Sequence, residues 1–294
     1  MPTIDTLVED IERLLTQTQE GKSSVLSEDV LGKFGGAIAL HAHDLTQERR
    51  ERKPNTIYYS EIGQACARKL WYGVHKPQEG EALRANTLNK FFYGNVLEES
   101  VLLLAEAAGH NVQDRQKPRV MTSSEWRISG RLDAVIDGVL VDVKSCSPYS
   151  FKSIVNGELE KEDHFGYLTQ LSLYNGVFIP GWGRQGFLLV DKQNGDIAFK
   201  DYPWRPSNQL LSDRMAALSS TTPPPRHGPG VPDGTSGNRK LPVICSYCKF
   251  KQMCWEDAND GAGLKAYAYS TGPRFLTTVK RVPNVPEIDL KQAA

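Results

Sequence analysis

Two carboxylates and a lysine in the string GRLDAVIDGVLVDVKS, residues 130–145, have the types and spacing that chemistry needs. Asp137-Gly138 is a strong two-residue turn between apolar runs, so the string reads as a hairpin. Such a turn pairs Ile136 with Val139, Val135 with Leu140 and Ala134 with Val141, which sets Asp133 opposite Asp142. Like charges directly across a hairpin, with Cβ atoms roughly 4.5–5.5 Å apart, repel one another. A structural hairpin has no use for that. A hard divalent cation does, because Mg²⁺ or Mn²⁺ takes carboxylate oxygens and offsets the repulsion. Lys144 lies two residues past Asp142 and projects from the same face of the strand. From there it can orient a water or stabilise charge growing on a phosphate. Val141 and Val143 alternate to the other, apolar face.

A third acid comes from the helix that periodicity predicts over 87–108, closed by Gly109 as a C-cap. Phe91, Gly94, Val101, Leu102 and Ala105 form one stripe, and Glu98 falls inside it. A carboxylate on a core-facing stripe costs several kcal/mol unless it is paired, to a metal or a base. Gly94, one turn earlier, leaves room for close approach, and Glu99 falls on the opposite face as a solvated acid. Gln170 and Tyr174 lie four apart on a further helix, hence on one face, as uncharged donors suited to a phosphate or a metal-bound water.

The second cluster is of sulfur. Cys245-x2-Cys248-x5-Cys254 places three soft ligands in a short loop, and a closed site needs a fourth, from Cys66 or Cys146. Four thiolates suit either Zn²⁺ or an iron–sulfur cluster, which spacing alone does not separate. Five cysteines, an odd number, argue against a disulfide framework in a chain this long.

The elements that must position these groups are legible in part. A helix is expected over 4–19, a short one from Ser60 over 61–72, further helices near 162–178 and 207–218, and a second hairpin over 186–202 turning at Asn194-Gly195. Helix, hairpin, helix, hairpin, helix implies an α/β or α+β fold, a mixed sheet flanked by helices. Arg49, Arg50, Arg52 and Lys53 read as a solvated connector, and the Pro/Gly/Ser-rich stretch 220–240 as a flexible insertion. Lys+Arg and Asp+Glu balance at 35 each in 294 residues, so any polyanion must be met by a local basic surface. The longest apolar run, near 101–108, is too short to span a membrane, and residues 1–20 carry acids and no apolar core. A cytoplasmic protein is the expectation.

Taken together, Gly94…Glu98, Gly130-Arg-Leu-Asp133, Asp142-Val-Lys144 and Gln170-Leu-Ser-Leu-Tyr174 resemble the RecB-type exonuclease branch of the PD-(D/E)XK nuclease superfamily. The resemblance covers roughly residues 58–258. It implies a restriction-endonuclease-like core, with metal on Asp133 and Asp142, Lys144 assisting the hydrolytic water, and Gln170 and Tyr174 contacting DNA or supporting the site. Glu98 stands where many members carry histidine, and is kept as a metal ligand together with the Val143 main-chain carbonyl. Cys66 followed by Cys245, Cys248 and Cys254 resembles the iron–sulfur members, the AddB-type and CRISPR-associated RecB-like exonucleases. That likeness implies a [4Fe–4S] cluster stapling the two ends of the domain. The expected function is metal-dependent DNA exonuclease, with linear DNA bearing ends as partner, Arg68, Lys69 and Arg131 as backbone contacts, and a recombinase or helicase nearby. The expected organisation is an N-terminal helical region 1–57, the nuclease domain 58–258 and a tail 259–294. A catalytically silent DNA-binding subunit and a zinc-stabilised endonuclease are the alternatives.

Overall fold

The strand after the Asp137 turn is buried along most of its length rather than on alternate residues, which marks it as interior to a sheet covered on both faces. The computed structural model describes residues 2–21, 26–47, 52–123, 125–161, 163–178, 183–205 and 207–290. It divides into two compact units, one of residues 1–63 and 86–209, the other of 64–85 and 210–294.

In the first unit, strands β1 (Thr56–Tyr58), β3 (Pro118–Ser123) and β4 (Trp126–Arg131) form a small sheet in the order β1-β4-β3. The main sheet runs β2-β5-β6-β7-β8, from β2 (Val112–Gln113), β5 (Ala134–Ile136), β6 (Val139–Cys146), β7 (Gln185–Asp191) and β8 (Ile197–Asp201). The β5–β6 register is the one the turn dictates: Ala134 with Val141, Val135 with Leu140, Ile136 with Val139. Asp137 holds the turn from outside, its carboxylate accepting Asn111 N–H at 2.9 Å and lying 2.7 Å from His110 Nδ1. Strands β6 and β7 are parallel, joined by a crossover that carries helices Pro148–Val155 and Tyr167–Phe178.

One face of the main sheet presents Val139, Val141, Val143, Leu188 and Val190 to Leu7 and Ile11 of helix Leu7–Gln19 and to Val101, Leu102 and Ala105 of the long helix Ala85–Ala107. Burying each such side chain contributes roughly 1.5–3 kcal/mol. The long helix ends in a Schellman cap: His110 N–H reaches Ala105 O and Gly109 N–H reaches Glu106 O, each at 3.1 Å, with Gly109 at φ +92. Residues 1–57 therefore are no separate region, since their first helix builds this core.

In the second unit, β9 (Val231–Pro232), β10 (Arg239–Lys240), β11 (Lys265–Tyr269), β12 (Gly272–Thr278) and β13 (Glu287–Ile288) form an antiparallel sheet in the order β13-β11-β12-β10-β9. Residues 259–290 are thus part of a sheet and not a tail. The 220–240 stretch is not a loose insertion either. Asn238 is buried, its side-chain oxygen accepting Lys280 and Arg281 N–H at 2.8 Å, and buried Asp233 pairs with Arg274 at 2.8 Å. Polar side chains do here what an apolar core does elsewhere, which composition alone cannot show.

The helix expected over 61–72 is two, Tyr59–Ile62 and Ala67–His75, and the units part between them. Helix Glu28–Thr46 has no counterpart in the sequence reading; three glycines, Gly32, Gly35 and Gly36, weaken its pattern. Of the charged connector, Arg49 and Arg50 lie outside the described residues. Arg52 is drawn inward to Thr56 O and Glu61.

Candidate active site

Asp142 sits mid-strand on β6 and Asp133 just before β5, so the turn that fixes the hairpin register also fixes their proximity. Asp133 does not continue the backbone ladder; its Oδ2 accepts the Val143 N–H at 2.8 Å. In a strand, a residue's N–H and C=O point to the same side, so the Val143 carbonyl also faces the edge that β5 has left. Asp142 is 4% exposed, and Lys144 Nζ lies 2.5 Å from its Oδ2 without forming a well-directed hydrogen bond to that oxygen. The ammonium is also 4.8 Å over the Tyr167 ring.

Burial pushes the Asp133 carboxyl well above the usual range, and the neighbouring charges of Asp142 and Glu98 push it further. Glu98 is raised to about 7, first by burial, then by Glu99 and Asp142, against a hydrogen bond from Gln116 Nε2 at 2.5 Å. Burial works to lower Lys144, but Asp142 and Asp133 outweigh it and hold the lysine above its ordinary value. Glu98, Asp133, Asp142 and Lys144 thus form one electrostatic cluster. Three mutually repelling acids and a single lysine make a donor set that fits a divalent cation. Among the described residues, no group of His, Cys, Asp and Glu side chains is arranged to hold a metal ion as it stands. The carboxylates are engaged instead by Val143, Gln116 and Lys144.

Tyr174 is buried under this cluster, its ring 4.7 Å from that of Tyr59 and its hydroxyl hydrogen-bonded with Gln170. Gly130 makes this possible, because a Cβ there would collide with the Tyr174 hydroxyl. Burial raises the phenol, and Asp142 and Asp133 raise it further, which sets Tyr174 within their field. Gly94 passes β6 at Ser145, but an added Cβ would meet Ser145 Oγ at 3.4 Å, so the approach does not require glycine.

The faces of the long helix differ from expectation. Phe91 is 56% exposed, whereas Glu99 is 2% exposed, paired with Arg115 at 2.5 Å and His41 at 3.4 Å. Glu98 is only half-buried. The unforeseen helix Glu28–Thr46, which carries His41, is what covers Glu99. Removing one partner of a buried pair strands the other charge, at a cost of about 3–5 kcal/mol. Arg115→Ala is therefore expected to destabilise the chain by about 3 kcal/mol in urea titrations, and Arg115→Ala with Glu99→Gln by markedly less. Equal losses in single and double variants would mean that Glu99 does not depend on Arg115.

The raised Glu98 has a consequence for the metal-free chain. Its folded value of about 7 exceeds the ordinary 4.5, so the folded state keeps a proton that the unfolded state has lost. Stability therefore falls as pH rises between those values, the reverse of a salt-bridged acid. In metal-free buffer the melting midpoint of wild type should drop across that window relative to Glu98→Gln. Parallel curves for the two would contradict the raised carboxyl.

The cations expected on DNA are placed differently. Arg68 donates to Tyr72 Oη at 3.0 Å and to Pro224 O at 2.8 Å, and Lys69 lines the cysteine pocket of the second unit. Arg131 is exposed and lines a cleft with His41, Glu99, Arg115 and Gln116. The partner expectation, linear DNA with ends beside a recombinase or helicase, is corrected accordingly: Arg68 is engaged by Tyr72 and Pro224, and Lys69 lines the cysteine pocket. Among the described residues, no helix is long and apolar enough to cross a membrane.

All four expected thiols, Cys66, Cys245, Cys248 and Cys254, line one pocket with Tyr72, Ile244 and Trp255. Burial pushes Cys245 up to about 12, with Cys66, Cys248 and Cys254 adding to it, and burial lifts Cys248 to about 11. Four thiols gathered in an apolar pocket, with Cys245, Cys248 and Cys254 raised by burial, fit a metal or cluster that takes the place of their protons. Every one of them belongs to the second unit, so whatever they bind ties 64–85 to 210–294 and does not staple the ends of the carboxylate-bearing sheet. Cys146 ends β6, in the first unit.

No protein-family model matches the chain, and no curated protein matches it. Among solved structures, the crystal structure of SSO0001, a Sulfolobus protein, aligns over 79% of this chain and 96% of its own, at 17% identity and a TM-score of 0.44. A likeness that distant carries no weight for the chemistry.

Proposed function

We propose that the chain is a metal-dependent nuclease of the PD-(D/E)XK type, hydrolysing phosphodiester bonds at the cluster of Asp133, Asp142, Glu98 and Lys144. The observation that supports it is the convergence of Asp133, Asp142 and Lys144 of one hairpin with Glu98 of the long helix, where the charge of Asp142 helps to raise both Asp133 and Glu98. Asp133, Asp142, Glu98 and the Val143 carbonyl would hold one or two Mg²⁺ or Mn²⁺, which when bound supplies Lewis acidity toward phosphate and water. Lys144 keeps its proton between Asp142 and Asp133, so it acts as a donor and a fixed positive charge for the water or the phosphate oxygens. Asp133 ties its loop to β6 through Val143, and Tyr174 with Gln170 supports the cluster from below. In the second unit, Cys66, Cys245, Cys248 and Cys254 would hold a [4Fe–4S] cluster whose contribution is to folding.

The role of Lys144 is separable from binding. Lys144→Ala should cut the cleavage rate by orders of magnitude and leave polynucleotide affinity nearly intact, because its charge acts on the transition state. Single-turnover rates beside affinities measured without divalent cations read both. An affinity that falls as far as the rate would make Lys144 a phosphate contact only.

A further inference from the structure

The thiol pocket of the second unit is ringed by positive charge that folding alone does not call for. Lys69, Arg226 and Lys251 line it with His227, and among the described lining residues there is no carboxylate. Three of the four sulfurs also accept a hydrogen bond: Cys245 from the Trp255 side chain, Cys248 from the Phe250 N–H, and Cys254 from Arg226. Arg226 is fixed by several partners at once. Its Nε–H donates to Cys254 O at 2.8 Å, its guanidinium lies 4.6 Å over the Trp255 ring, and its Nη1 donates to Asp257 at 3.1 Å. Arg226 and Trp255 also line an open cleft, and so form a wall between the sulfurs and solvent. Asp257 stands on the cleft side of that wall, 63% exposed, and takes no part in the thiol pocket.

Four thiolates bring negative charge to whatever they hold, and a cluster that gains an electron becomes more negative still. Cations and N–H donors beside the sulfurs stabilise that reduced form and raise its potential, while an apolar lining opposes the added charge. A charge in the wall of the pocket is screened less than one in the solvent beyond it, so Arg226 outweighs Asp257 there. We infer that the sulfur centre of the second unit exchanges single electrons, with Arg226 as the residue that sets its potential and Asp257 as the counter-charge that restrains it. The inference rests on the [4Fe–4S] reading of these thiols and is independent of the carboxylate site. Reduction adds one electron to the cluster iron, takes up no proton and breaks no bond. Its donor is a low-potential one-electron reductant acting across the wall of Arg226 and Trp255.

The test is an anaerobic optical titration of the full chain with dithionite, which is oxidised to sulfite, through one-electron mediators, with iron measured on the same samples. Wild type should bleach and recover reversibly in a one-electron step. Arg226→Gln should make reduction about tenfold less favourable, a fall of about 59 mV for one electron. Asp257→Asn should move the potential upward by a smaller factor, since it removes the anion that partly cancels Arg226. Arg226→Lys, which keeps the charge, should lie between wild type and Arg226→Gln. A residue that only packs would not shift the two positions in opposite directions. Wild-type potentials in iron-loaded Arg226→Gln and Asp257→Asn would overturn the inference. If Arg226→Gln loses its iron, Asp257→Asn decides alone: a rise supports the inference and no rise overturns it. Iron-loaded wild type that dithionite does not reduce would overturn the inference and keep the cluster. Colourless or zinc-bearing wild type would overturn both, and leave the carboxylate chemistry to its own cleavage assay.

Discussion

Asp133→Asn and Asp142→Asn are both expected to lower cleavage by at least about a thousandfold, and to move metal-free stability in opposite directions. The rate loss follows from removing a carboxylate whose bound cation is worth several kcal/mol in the transition state. The stability split follows from what each acid touches. Asp133 is half-buried among like charges, and the Val143 N–H that its carboxylate accepts can be kept by an amide oxygen. Its neutralisation relieves repulsion and should raise the metal-free melting midpoint. Asp142 lies 2.5 Å from Lys144, and replacing its carboxylate takes the nearest counter-charge from a half-buried ammonium. A half-buried charge that loses its nearest counter-ion is destabilising, so Asp142→Asn should melt earlier. Calorimetric melting without divalent metal, beside cleavage assays with it, checks both. Undiminished cleavage in either variant would remove that acid from the site.

The second large effect concerns sulfur. Because Cys66, Cys245, Cys248 and Cys254 line one pocket of the second unit, their ligand should stabilise that unit by nearly its whole binding free energy, on the order of 10 kcal/mol. Protein purified anaerobically should be brown and carry about four irons per chain if the centre is [4Fe–4S]. Serine at any of the four should bleach it and open residues 64–85 and 210–294 to protease. Cys146→Ser should keep both colour and protease resistance, since Cys146 lies in the first unit. Colourless protein with stoichiometric zinc would replace the cluster by a zinc site. Bleaching in Cys146→Ser with Cys66→Ser still brown would mean that the wrong fourth thiol has been assigned.

What the sequence disclosed is what local rules govern. The Asp137 turn fixes register by itself, so the pairing of Ala134 with Val141, Val135 with Leu140 and Ile136 with Val139 was legible from the sequence, whereas Asp133 leaves the ladder and turns its carboxylate to the Val143 N–H. Gly109 likewise announced the end of the long helix. Non-local facts stayed hidden. Nothing in the helical stripe tells that helix Glu28–Thr46 covers Glu99, so the stripe predicts a solvated Glu99 and a buried Phe91, the reverse of what the fold shows. The parallel β6–β7 pairing depends on a crossover whose partner no periodicity names. The 220–240 stretch has a disordered composition but an ordered hydrogen-bond plan centred on Asn238 and Asp233, and composition does not encode partners. The cysteine spacing suggested a shared ligand, yet only the fold shows that Cys66 and the other three lie in one unit.

The central claim is that the Asp133, Asp142, Glu98 and Lys144 cluster cuts phosphodiester bonds when a divalent cation is present. The most direct measurement is digestion of an end-labelled polynucleotide by wild-type protein, first without divalent cations and then across a Mg²⁺ or Mn²⁺ titration. Wild type should give no product without metal and product that rises and saturates with added metal, and Asp142→Asn should give none at any metal concentration. Equal cleavage with and without metal, or none at saturating Mg²⁺ and Mn²⁺ in a folded wild-type protein, would contradict it.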